Sequence, residues 1–128
     1  MNDEQFIAEV KNLAELDKDE DARKAIGATL ETLRERLAGE EPSDLAAQLP
    51  PGIAPYVEGE GGRESFPVEE FYERVAGKEG VGKDEAVRHV RAVATVVQTA
   101  VTGGELDDVR SQLGDAYKEL FGQSGASA

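Results

Sequence analysis

The chain is expected to be all-α: a single domain of about eight helices, built as two similar four-helix halves related by approximate two-fold symmetry. Three observations lead to this. The run from Ala22 to Pro50 returns, shifted by 64 residues, as Ala86 to Gly114. Seven positions of that run are identical, pairing Ala22 with Ala86, Ala28 with Ala92, Gly39 with Gly103, Glu41 with Glu105, Asp44 with Asp108, Gln48 with Gln112 and Leu49 with Leu113. Apolar residues match as well, Ile26 with Val90, Leu33 with Val97, Leu37 with Val101 and Leu45 with Val109, while Phe6 and Val10 match Phe71 and Val75 at an offset of 65. Two copies of one helical unit, each exposing an apolar stripe, cover each other. Finally, apolar residues recur at three-and-four spacing rather than in the alternation of a strand.

The first helix runs from Asp3 to about Leu16, with Phe6, Ile7, Val10, Leu13 and Ala14 on one face, and Asn2 with Gln5 offers a capping box. After the polar break Asp17 to Asp21, Asp19 is placed to cap a long helix carrying Ala22, Ile26, Leu30, Leu33 and Leu37, which Gly39 ends. Glu41 and Pro42 open a short helix through Gln48, since proline is tolerated in a first helical turn. Leu49, Pro50 and Pro51 stop it and lead into a last short segment, Ile53 to Val57, completing half one at 1–57.

The stretch EGEGGRES, residues 58–65, has three glycines and no apolar side chain, and reads as the connection between the halves. Half two spans 66–121. Pro67 opens a helix with Val68, Phe71, Tyr72 and Val75 inward, closed by the loop Gly77 to Gly82. The second long helix follows from Lys83 or Asp84 to Thr102, ended by Gly103 and Gly104. Val93 to Val101 is rich in valine, but Ala86, Val90, Val93, Val97 and Val101 fall on one helical stripe, so helix is preferred to strand. Glu105 to Leu113 and Asp115 to Phe121 repeat the two short helices, and residues 122–128 are expected to be a flexible tail.

Composition limits the function classes. The 128 residues fit one domain, and 39% hydrophobic content in ordered stripes argues against wholesale disorder. With no cysteine, thiolate nucleophiles and cysteine metal sites are excluded, which suits a reducing cytosol. The acidic start MNDEQFIAEV is not a secretory signal, and no apolar run approaches the roughly 20 residues that cross a bilayer, so a cytoplasmic protein without membrane contact is expected. Net charge is −13, from 27 acidic and 14 basic residues spread along the chain. Such a surface repels polyanions and disfavours nucleic acid as partner. Dispersed carboxylates of this kind hydrate a protein in a salt-rich cytoplasm, and the excess of Arg (eight) over Lys (six) leans the same way.

Few residues carry chemistry. His89 is the only histidine, lies on the apolar arc beside Ala86, Val93 and Val96, and is read as structural because no second histidine or cysteine exists to complete a set. The paired acids Glu41 with Asp44 and Glu105 with Asp108 have the three-residue spacing that puts two carboxylates on one helical face, where Ca²⁺ or Mg²⁺ ligation or acid and base work is conceivable. Their place in a first helical turn favours capping and helix-dipole complementarity instead. Phe6, Phe71, Tyr72, Tyr117 and Phe121 read as core aromatics, with Tyr56 and Tyr117 at the ends of the halves able to line a cleft. The glycines at 59, 61 and 62 lack the strand and the G-K-[ST] of a phosphate loop. No catalytic, cofactor-binding or metal-binding residue is assigned.

An F-x-x-x-V opening (Phe6 to Val10; Phe71 to Val75), a long helix started by alanine, L-x-x-R-L (Leu33 to Leu37), a glycine and acid turn, and D-L-x-x-Q-L-P (Asp44 to Pro50) together form a pattern. It resembles the bacterial and archaeal domain-of-unknown-function family 2267 over almost the whole chain. The second half, with D-D-V-R-S-Q-L (Asp107 to Leu113) and Tyr117 to Phe121, is similar to the family too, with Gly114 standing where the family usually has proline. The resemblance implies an all-helical fold and brings no activity, cofactor or catalytic residue. The functional expectation is a non-enzymatic interaction or regulatory module with a protein partner, linked to stress or salt tolerance. Alternatives are a nucleic-acid-binding regulator using helix pairs such as 42–48 and 53–57, and a carboxylate-dependent enzyme.

Overall fold

The computed structural model describes residues 1–121; the tail expected at 122–128 lies outside the described residues. Among the described residues there are seven α-helices and no strand. They are α1 (Asp3–Leu13), α2 (Asp19–Arg36), α3 (Glu41–Ala46), α4 (Val68–Glu79), α5 (Lys83–Ala100), α6 (Gly103–Leu113) and α7 (Lys118–Phe121), with 3-10 turns at Ala54–Tyr56 and Asp115–Tyr117. Thus the expected short helix at 53–57 is a single 3-10 turn. Pro50 and Pro51 precede it and Pro55 sits inside it, leaving too few backbone donors for an α-helix.

The two 18-residue helices, α2 and α5, pack on each other, while α1 and α4 each lie against both of them. Their apolar stripes explain why: Ala22, Ile26, Leu30 and Leu33 from α2, and Ala86, Val90, Val93 and Val97 from α5, are buried. Phe6 and Val10 of α1 and Phe71 and Val75 of α4 close the core from the two sides. Burial of one such side chain contributes about 1.5–3 kcal/mol, so the repeated stripes supply much of the drive to fold. Leu13, expected inward, is instead 49% exposed, because α1 ends there and the chain turns away. At one end of the molecule α3 packs against α6, and α7 packs on α5 and α6.

Helix ends follow local chemistry, with some shifts from expectation. The Asn2 and Gln5 capping box forms, each side chain accepting the other residue's backbone N–H at 2.8–2.9 Å. Asp19 does not cap α2. Lys18 holds that position, while Asp19, first in the helix, pairs with Lys11 at 2.8 Å. α2 stops at Arg36, earlier than expected, and Gly39 with φ +64° makes the turn beyond it. α4 runs through Gly77 to Glu79 and is closed by Gly80 at φ +73°, whose N–H reaches Ala76 O. Gly103 and Gly104 begin α6 rather than end α5, because Thr102 takes the cap position and its Oγ1 accepts from Glu105 N–H.

The connection 58–65 is held against the end of α2. Backbone N–H groups of Gly61, Gly62, Arg63 and Glu64 donate to carbonyls of Gly39, Arg34, Leu37 and Glu35. Approach is so close that a Cβ on Gly61 would stand 2.3 Å from Leu37 O, and one on Gly62 2.7 Å from Glu35 O. Arg74 then fastens the same corner, bonding Glu35, Glu64 and Glu70 while its guanidinium lies 3.9 Å over the Phe66 ring. No helix among the described residues is long and apolar enough to cross a membrane.

Candidate functional site

The acids singled out by the repeat converge where α3 meets α6. Glu41 is the first residue of α3, where Pro42 sets the helical start, and Glu105 lies in the first turn of α6 under the Thr102 cap. Pro42, Leu45, Leu106 and Val109 are buried around them, and each glutamate is only 8% exposed. The two carboxyl groups lie close enough for a hydrogen bond between them whenever Glu41 carries a proton. The Glu41 carboxyl is pushed up to about 8, first by burial, then by the hydrogen bond and charge of Glu105, with Asp108 and Asp44 adding further repulsion. Asp108, exposed and one turn beyond Glu105, brings a carboxylate oxygen to within 4.8 Å of oxygens from both glutamates.

Hydrogen bonds on either side close the seam. Gln48 Oε1 accepts from Thr102 N–H at 2.7 Å, and Gln112 Oε1 accepts from Ala38 N–H at 2.8 Å. Thr102 and Ala38 are separated by the same 64 residues as the two glutamines, so each half reaches the other through the same position. Arg36 adds a bond to Leu113 O at 3.2 Å and lies over the Tyr117 ring, whose hydroxyl donates to Phe66 O. Yet the oxygens Glu41 Oε2 and Glu105 Oε2 are buried with no hydrogen-bond partner.

A second polar group is buried between α4 and α5. His89 Nδ1 lies 2.8 Å from Glu79 Oε1, both side chains nearly inaccessible. Their remaining atoms, His89 Nε2 and Glu79 Oε2, have no partner and border a small cavity of about 140 Å³ that Asp21, Lys24 and Glu85 also line. His89 is therefore where its apolar arc placed it, and the sequence reading missed Glu79. The only available signal was an acid at the end of an otherwise apolar helical face. A wider groove of about 330 Å³ runs along α2, bordered by Arg23, Lys24 and Lys78 over Gly27 and Tyr56. Tyr56 thus lines a surface groove, whereas Tyr117 is buried in the core with Phe71, their rings edge to face.

Glu41 and Asp44 occupy the first turn of α3 and Glu105 that of α6, as the dipole argument expects, whereas Asp108 falls in the second turn because α6 already begins at Gly103. The carboxylate-dependent alternative needed the paired acids near one another, and Glu41, Glu105 and Asp108 do come together where α3 packs on α6. A family model described as an uncharacterized conserved protein (DUF2267) matches residues 3–120. No curated protein matches the chain.

Proposed function

We propose, for a chain that belongs to the uncharacterised conserved family DUF2267, a non-enzymatic role as a protein-interaction or regulatory module. One observation carries this reading: the recurring polar side chains, Gln48, Gln112, Glu41 and Glu105, are used in joining the halves. The two glutamines accept from backbone N–H groups of the opposite half, and the two glutamates lie beside each other, open only on the side of the exposed Asp44 and Asp108. His89 is likewise engaged by Glu79 in the interior.

The contacts among α1, α2, α4 and α5 keep their pattern when the halves are exchanged, which supports a pseudo-two-fold unit. Such a platform presents its charge to a partner. The excess of 27 acidic over 14 basic residues favours a basic protein surface over nucleic acid, and suits a regulator in a salt-rich cytoplasm. The short 3-10 turn at Ala54–Tyr56 supplies no recognition helix.

Capture with the tagged full-length chain from native extract, at low and high KCl, tests this reading. A recovered partner that rebinds as a purified protein, more weakly as salt rises, is the expected result. Recovery of the chain alone under both conditions contradicts it, as does any turnover activity that Glu105→Gln abolishes.

A further inference from the structure

We propose that the seam between α3 and α6 is a binding site for a hard divalent cation, Ca²⁺ or Mg²⁺, held by carboxylates of both halves: Glu41, Glu105 and Asp108. The first support is geometric. One oxygen from each residue lies within 4.8 Å of the others, the spread of donors around an ion that binds oxygen at about 2.0–2.6 Å.

The second support is independent of the clustering. Glu41 and Glu105 are more than nine-tenths buried, and the Oε2 oxygen of each is buried with no hydrogen-bond partner. Buried polar atoms in native proteins are almost always satisfied, so two such orphans mark the place of a missing electrophile. Surrounding charge agrees with a cation. Among the described residues, no Lys or Arg forms an ion pair with Glu41, Asp44, Glu105 or Asp108. The donor set is all carboxylate, with no nitrogen or sulfur, which selects hard ions over zinc or copper. Asp108 and the equivalent Asp44 are exposed and leave the site open on one side, giving an ion an entry path and room to keep water ligands.

A cation there ties α3 to α6 through their own acids. This goes beyond the interaction reading and stands apart from it: cation binding needs no partner, and partner capture needs no cation.

Calorimetric titration of the chelator-stripped full-length chain with CaCl₂ and with MgCl₂, paired with thermal unfolding, tests the site. One ion per chain with Kd in the range of about 10⁻⁵–10⁻³ M is expected for at least one of the two metals, with a higher Tm at saturation. Asp108→Asn alters only an exposed side chain, so the fold persists, and affinity falls at least about tenfold. Glu105→Gln removes binding while circular dichroism is unchanged, and Asp107→Asn, next door and exposed, binds as the wild type does. No heat and no Tm shift with either ion at about ten times that concentration range overturns the proposal. So does an Asp108→Asn variant that binds as tightly as the wild type.

Discussion

Glu41 and His89 show how differently two buried ionisable groups behave. Glu41 has its carboxyl raised from 4.5 to about 8, so between those values the folded chain holds a proton that the unfolded chain has lost. Stability therefore falls as pH rises through that window, by on the order of a few kcal/mol, and levels off above it. Urea unfolding in chelator from pH 4 to pH 9 measures the slope, and Glu41→Gln flattens it. His89 is held by Glu79 at 2.8 Å with both side chains inside the protein. His89→Ala leaves Glu79 buried and unpaired, an expected loss of about 3 kcal/mol, read as a lower denaturation midpoint. The burial of His89 was legible from its place on an apolar arc. Glu79 was not, because its partner lies ten residues away on a different helix and nothing in local spacing brings the two together.

At the scale of elements, what the sequence stated well were the faces of helices, and what it stated poorly were their ends. The stripes of α2 and α5 were readable because burial enforces a period on many residues at once. Ends depend on one or two residues whose partners are distant. Gly103 and Gly104 follow a long helix and looked like its stop, yet Thr102 caps the next helix and places them inside it. Glycines of the connection were read as spacing, whereas Gly61 is required by contact with Leu37 O at 2.3 Å from any Cβ. Gly61→Ala is expected to cost about 2 kcal/mol, since neither backbone can yield without breaking its hydrogen bonds. Gly77→Ala is the counterpart. A methyl there meets nothing within 4 Å, and the mid-helix position in α4 gains about 0.5–1 kcal/mol from better helix propensity. Thermal melts of the two variants should move in opposite directions.

For the molecule as a whole, α1, α2 and α3 meet α4, α5 and α6 through several helix pairs, and Glu41 and Glu105 come together where α3 packs on α6. Gln48→Ala and Gln112→Ala each remove one bond to the opposite half, and each is expected to cost about 1 kcal/mol in urea unfolding. Markedly unequal losses would argue against equivalent roles. Placing Glu41 against Glu105 required knowing that α3 packs on α6, which only tertiary packing fixes. The central claim is that this acid pair opposes the joining of the halves unless a proton or a cation lies between them. Thermal unfolding of Glu105→Gln beside the wild type, in chelator above pH 8, tests it most directly. A higher Tm for the variant, with the gap closing as pH is lowered or as divalent cation is added, is the predicted result. A variant equal to or less stable than the wild type under those conditions contradicts it.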